Sequence, residues 1–223
     1  MRAQLAVIGR DVSLAFRSGG GALHSVIFFA LAALVFALAI GPDLALLSGL
    51  AAPILWAIAL LSALVSLDRL FQADFEDGSL DTIVETADFL ELSVLAKSVA
   101  HWLSAGLPVV LAAPAVALLL NLPAEGYAPL LLSLLVGTPA LSFLGAIGAA
   151  VALGLRRASI LVAILSGPLF APALIFGVGA ARAGAVDSPQ FLPAILLLGA
   201  ITLFGALLGP IAGAAAIRLN MTA

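Results

Sequence analysis

The chain has no cysteine among its 223 residues. That excludes a disulfide, a thiolate metal site and a cysteine nucleophile, and it leaves the redox compartment unreadable from this residue type. Lysine is nearly absent as well. The single one, Lys97, follows Glu91-Leu92-Ser93-Val94-Leu95-Ala96. A phosphate-binding loop needs a glycine-rich turn before its lysine, so the chain carries no ATPase site of its own and is not read as an enzyme. The two histidines, His24 and His101, have no acidic or histidine partner at helical spacing, which rules out a zinc motif of the HExxH kind. Charged residues make up only 9%, against about 25% in soluble domains. No basic patch suggests nucleic acid. The long apolar runs contain no carboxylate, which weighs against ion-coupled transport, where buried ionisable groups mark the path.

Apolar sequence is what remains: 64% of residues, with a mean hydropathy of +1.27. About 20 apolar residues cross a bilayer as a helix. Runs of that length occupy residues 22–40, 46–67, 99–120, 128–155, 158–180 and 191–217. The breaks at Gly41-Pro42-Asp43, at residues 68–98, at Asn121 to Tyr127, at Arg156-Arg157 and at Arg182 to Gln190 carry Gly, Pro or charge, as helix connections do. The expectation is an all-α polytopic protein with one membrane domain over 1–223 and six spanning helices. An even number of spans puts both termini on one side. Arg2, Arg10, Arg17, Arg69, Lys97, Arg156, Arg157 and Arg218 then share that side, and only Arg182 lies opposite. The positive-inside rule makes the basic side cytoplasmic.

Residues 1–21 are too polar to span. Leu5, Ile8, Val12, Ala15 and Phe16 recur at helical spacing, with Arg2, Arg10, Asp11 and Arg17 between them. This predicts an amphipathic helix in the cytoplasmic interface, released by Ser18-Gly19-Gly20-Gly21 into the first span. A disordered tail, or a signal peptide cleaved near Ala37-Leu38-Ala39, are the alternatives. Pro108, Pro114, Pro139, Pro168, Pro172 and Pro210 interrupt later spans. They are compatible with ordinary packing or with hinges, since proline is common in membrane helices. Gly205, Gly209 and Gly213 form a doubled small-residue spacing that permits close helix approach.

Eight of the twelve acids cluster in one polar island: Asp68, Asp74, Glu76, Asp77, Asp81, Glu85, Asp88 and Glu91. Gly78 can end one segment there, and Ser79 is a good N-cap for the next. Leu80, Ile83, Val84 and Ala87 then form an apolar stripe, with Asp81 in the first turn where the helix dipole favours negative charge. A short helix along the cytoplasmic face follows, its acidic flank open to a basic partner or merely solvated.

The string Asp74-Phe75-Glu76-Asp77-Gly78-Ser79-Leu80-Asp81 resembles the Glu-x-Gly-Thr/Ser-Leu-Glu/Asp stretch of ABC-2-type exporter permeases. Further strings are similar to the CcmB family, the heme exporter permeases of cytochrome c maturation: Ser66-Leu67-Asp68-Arg69-Leu70-Phe71, Leu95-Ala96-Lys97-Ser98-Val99-Ala100-His101-Trp102-Leu103, Gly137-Thr138-Pro139-Ala140-Leu141-Ser142, and Gly145-Ala146-Ile147-Gly148-Ala149-Ala150. The resemblance extends over essentially the whole chain. It implies a permease in a bacterial inner membrane that pairs with a separate ATP-binding subunit and with other membrane subunits of cytochrome c maturation. Six spans are half of a typical exporter, which implies a homodimer embedded in membrane lipid. No cofactor is expected to be bound covalently; heme is the possible substrate, and ATP acts only through the partner.

The expected ATPase-coupling residues are Phe75, Glu76, Asp77, Gly78, Ser79, Leu80, Asp81 and Ile83. His101 and Trp102 are candidate substrate contacts near the cytoplasmic start of the third span. Imidazole ligates iron and an indole packs on a porphyrin, yet both side chains also suit interfacial anchors with polar tips in the headgroups. The alternatives to heme export are a permease for a lipid or glycan, and a membrane scaffold that transports nothing.

The topology is directly testable, because the absence of cysteine makes single-cysteine labelling clean. A cysteine at Asp43, Glu125 or Asp187 should react with an impermeant periplasmic reagent, and one at Glu76 should not; periplasmic labelling at Glu76 would sink the scheme.

Overall fold

The structure is a computed structural model that describes residues 2–17, 21–86, 89–155 and 158–221. The described residues are helical and contain no strand. Six helical stretches are long and apolar enough to cross a membrane: Leu23–Ile40, Leu44–Glu76, Leu90–Leu120, Ala124–Val151, Ala158–Ala185 and Phe191–Met221. This is the all-α, multi-pass architecture that the hydropathy predicts.

The elements are α1 (Arg2–Arg17), α2 (Gly21–Ile40), α3 (Leu44–Leu67), α4 (Arg69–Glu76), α5 (Ser79–Thr86), α6 (Leu90–His101), α7 (Leu107–Ala117), α8 (Ala124–Val151), α9 (Ala158–Ala185) and α10 (Phe191–Met221). A π-helical turn, Trp102–Gly106, joins α6 to α7. The connecting Ser18, Gly19 and Gly20, and Ala87, Asp88, Arg156 and Arg157, lie outside the described residues.

Helix α8 is the centre of the bundle and packs most extensively on α9 and α10. Small residues make this possible. A Cβ on Gly209 would overlap the backbone carbonyl of Phe143, so α10 approaches α8 backbone to backbone there. A Cβ on Gly205 would stand 3.2 Å from the Leu144 side chain of α8, and one on Gly213 would stand 3.1 Å from the Val94 side chain of α6. The doubled glycine spacing is therefore a packing face, as expected, and its partner is mainly α8. On the other side of α8, Trp56 of α3 is fully buried, and its indole fills the space that side chains on Gly137 and Gly177 would need. Its Nε1 donates to Ser133 Oγ at 3.0 Å, which satisfies the one polar atom of the ring.

Two boundaries differ from the hydropathy. The third span begins at Leu90 rather than near 99, because Lys97 and Ser98, which interrupt the apolar run, are themselves buried. Ser98 donates to the Val94 carbonyl at 2.9 Å, and Lys97 is paired within the bundle. The second span runs on through Asp68, whose backbone stays helical (φ −61°, ψ −24°), into α4. Asp68 Oδ2 accepts from Ser159 Oγ at 2.8 Å, which ties this junction to the start of α9.

The π turn has an identifiable cause. Pro108 has no N–H and its ring crowds the carbonyl four residues earlier. The helix widens just before it, and the Leu107 N–H reaches back to the Trp102 carbonyl, one residue further than in an α-helix.

Close packing at Gly209 sets a clear expectation. Gly209→Ala should lower the thermal midpoint of the purified protein by an amount equivalent to about 1–3 kcal/mol of overpacking, whereas Gly179→Ala, with nothing within 4 Å of the added carbon, should be near neutral. Equal midpoints for the two variants would refute the α8–α10 contact.

Candidate functional site

The functional candidates gather at the end of the bundle where both chain termini lie. Asn220 Nδ2 near the C-terminus donates to the Ala150 carbonyl at 2.9 Å, and Arg218 pairs with Glu91 at 2.8 Å. Helix α1 packs mainly on α6 at the same end.

The acidic string folds as a helix, a tight turn and a second helix. Asp77 and Gly78 form the turn between α4 and α5, and Gly78 takes φ +76°, a left-handed conformation that disfavours a side chain even though space is open around it. Ser79, expected as the N-cap of α5, opens that helix instead. Its N–H donates to Asp77 Oδ1 at 2.9 Å, and its hydroxyl donates to Asp74 Oδ1 at 3.0 Å. The turn is thus closed by one carboxylate and anchored by another.

Of the expected coupling residues, Phe75, Glu76, Asp77, Gly78 and Asp81 are exposed, while Ser79 and Ile83 are half-buried. Phe75 lies against Gly154 at the end of α8. Leu80 departs from the expectation of an outward contact. It is 1% exposed and packs into the chain's own core, with Ile83 and Val84 against the same core. The apolar stripe of α5 therefore holds the helix to the bundle, and the acidic flank is what projects.

The island is also less uniform than its sequence suggests. Asp74 is buried, and it pairs with Lys97 of α6, with Arg10 of α1 at 3.5 Å and with the Ser79 hydroxyl. Lys97, 5% exposed, also donates to Asp11 Oδ2 at 2.8 Å. Arg10 and Asp11, which the periodicity assigns to the polar face of α1, are turned toward this cluster. One ammonium and two carboxylates from three different helices thus satisfy one another, and Ser79 links them to the turn before α5. A buried charge is tolerable when paired in this way. Sequence reading missed the cluster because its members lie far apart along the chain. The available signal was a lone lysine inside an apolar run.

His101 and Trp102 also face inward rather than toward the headgroups. His101 is 8% exposed, with Nε2 2.8 Å from Ser66 Oγ and Nδ1 2.8 Å from Ser142 Oγ. The Ser66 oxygen also lies 3.0 Å from the Ala63 carbonyl, so the serine joins the imidazole to the backbone of α3. Trp102 Nε1 donates to Thr138 Oγ1 at 3.0 Å, and its ring lies over Gly106, where a Cβ would stand 2.6 Å from the indole. Both side chains brace the third span against α3 and α8. Neither nitrogen of His101 is open to an iron.

Beside this cluster lies a cavity of about 370 Å³, lined by α1, α2, α3, α4, α6 and the π turn. Arg10, Arg69 and His24 contribute to its wall, together with apolar residues such as Val65, Leu70 and Ala73. Among the described residues no group of three or more His, Asp or Glu side chains is arranged to hold a metal ion.

Comparison with known proteins agrees with this picture along nearly the whole chain. The family model described as CcmB protein matches residues 2–220. The chain is 50% identical over 218 residues to Heme exporter protein B of Bradyrhizobium diazoefficiens, covering 98% of each chain. It is 49% identical over 216 residues to the protein of that name from Paracoccus denitrificans, covering 97% of this chain and 99% of the other. With the Heme exporter protein B of Escherichia coli K12 the identity is 40% over 211 residues, covering 95% and 96%. With the six spans and the match from residue 2 to residue 220, the chain belongs to the CcmB protein family.

Proposed function

We propose that this chain is the permease subunit of a heme-exporting ABC transporter of cytochrome c maturation, acting in a bacterial inner membrane with its termini in the cytoplasm. The observation that carries the reading is end-to-end similarity, at 40–50% identity, to proteins named Heme exporter protein B. ATP is hydrolysed by a separate ATP-binding subunit, and other membrane subunits of the pathway complete the complex. Two copies of the chain pair so that two ATPase subunits can close on each other. The energy of that closure drives heme delivery or release of a heme-loaded chaperone.

The docking element is the turn from Phe75 to Ile83. It projects from the bundle, exposes Glu76, Asp77 and Asp81 on one flank, and is held rigidly from behind by buried Leu80. A basic groove on the ATPase complements that flank, and charge of this kind sets partner orientation and association rate. A push on α5 then has a short route into the bundle. It moves Ser79, whose hydroxyl holds Asp74, and Asp74 holds Lys97 in the third span and Arg10 in α1.

Two experiments separate docking from transmission. Glu76→Lys with Asp81→Lys should reduce co-purification of the ATPase tenfold or more without loss of permease from the membrane, while Leu80→Asp should lower the amount of folded permease itself. Full ATPase binding by the double charge reversal would reduce α5 to a spacer. Asp74→Asn keeps an acceptor for Ser79 but removes the charge facing Lys97. It should retain ATPase binding and lose most cytochrome c maturation, and wild-type maturation in that variant would rule out the charged route.

A further inference from the structure

Helix α3 carries a proline away from its ends, Pro53. Proline has no N–H, so the carbonyl four residues earlier, that of Gly49, loses its helical partner. In a spanning helix such a carbonyl is costly, because hydrocarbon offers no donor. Here the donor comes from another helix: Arg182 Nη2 of α9 donates to the Gly49 oxygen at 3.3 Å. Arg182 is the lone basic residue that the topology puts at the end of the bundle opposite the termini, where Asp43, Glu125 and Asp187 also fall. It nevertheless forms no ion pair among the described residues. Asp43 instead caps α3, accepting the Leu46 N–H at 3.0 Å. The guanidinium is therefore committed to a backbone acceptor.

The two sides of Pro53 are held differently. Toward the termini, Trp56 is fully buried, fills the notches at Gly137 and Gly177, and donates to Ser133. On the other side, residues 44–52 bury only Leu47, Ala51 and Ala52, and they leave Leu44 and Leu46 exposed. The sideways ties of that segment are polar: Arg182 on the Gly49 carbonyl, and Asn121 Nδ2 on the Leu44 carbonyl at 3.3 Å. A firmly seated stretch of helix and a lightly seated one meet where the backbone ladder is interrupted.

We propose that residues 44–52 form a flap that bends at Pro53, and that Arg182 is the positioning residue that latches it to α9 through the Gly49 carbonyl. When the guanidinium lets go, the flap swings while Trp56 keeps the rest of α3 in place. Arginine suits a latch, because it carries several donors and stays charged, so it can pass from one acceptor to another without a proton moving. That the flap opens during transport rests on the function proposed above; the latch itself does not.

The test uses the full chain, co-purified with its ATPase in nanodiscs, with spin labels on introduced cysteines and distances read by pulsed dipolar spectroscopy. One pair, Leu46→Cys with Leu203→Cys, joins the flap to α10. The control pair, Leu61→Cys with Leu203→Cys, joins the firmly seated part of α3 to the same point. All three positions are exposed. Without nucleotide the flap pair should give one narrow distance. Arg182→Gln should lower the closed-to-open ratio about tenfold, as loss of a hydrogen bond from a charged donor does, and so broaden the flap pair while the control stays narrow. Arg182→Lys keeps a donor and should keep the narrow form. Pro53→Ala returns an N–H to the Gly49 carbonyl, so adding Arg182→Gln to that variant should change nothing. A non-hydrolysable ATP analogue should move the wild-type flap toward the open distance and leave Pro53→Ala unmoved. A narrow flap pair in Arg182→Gln, broadening of both pairs together, or broadening that persists on Pro53→Ala would each overturn the latch. A latch that behaves as stated but ignores the nucleotide would overturn the flap's part in transport, and that result is separable because the latch measurements need no nucleotide.

Discussion

Everything at the terminal end of the bundle depends on how one ammonium group is kept out of the lipid. Lys97 sits inside a spanning helix, where an unpaired charge costs several kcal/mol. Asp74 and Asp11 make its burial possible, and each comes from a different helix. Helix α1 is consequently held on α6 by charge as well as by its apolar positions, and α4 is drawn in so that Asp74 leaves the water. The turn before α5 follows, because the Ser79 hydroxyl shares Asp74. A local electrostatic requirement thereby fixes the position of the turn before α5 and of the helix whose Asp81 is exposed.

The rest of the bundle is organised by the opposite device, the removal of side chains. Hydrocarbon surroundings give helices no hydrophobic reason to associate, so close van der Waals contact has to supply the attraction. Gly209 admits the backbone of α8, and Gly137 and Gly177 admit the ring of Trp56. Helices α3, α8, α9 and α10 form a dense block in this way, while the ion cluster and the cavity lie at its margin, beside α1, α2 and α6. The tightly packed part and the polar part of the molecule are adjacent but built on different forces.

Sequence reading resolved the block better than the margin. Six spans follow from apolar length alone, and the packing role of Gly205, Gly209 and Gly213 follows from their spacing. Trp56 was not legible, since an indole in an apolar run has the same appearance whether it faces lipid or a glycine notch. The spacing of an apolar stripe does not say whether it faces its own bundle or a partner, and only tertiary packing turns Leu80 inward. His101 and Trp102 were expected at the headgroups on the strength of their position near a helix start. The span in fact begins at Leu90, about three turns before His101, and this added depth buries His101 and half-buries Trp102. Lys97 looked like part of the basic loop count, whereas its partners Asp11 and Asp74 lie 86 and 23 residues away, beyond the reach of any local pattern.

The widened turn before Pro108 changes how the third span should be numbered. A π turn adds a residue to one revolution, and in an α-helix each residue advances the direction of the side chain by about 100°. The face that carries Lys97 and His101 in α6 is therefore not continued by residues at the usual three- and four-residue steps in α7. Two segments of one span present independently phased surfaces, one to the ion cluster and one to α2 and α8. Substitutions on either side of the turn belong to separate helical wheels, and a register shift that straightened the turn would rotate one wheel against the other without moving either end of the span.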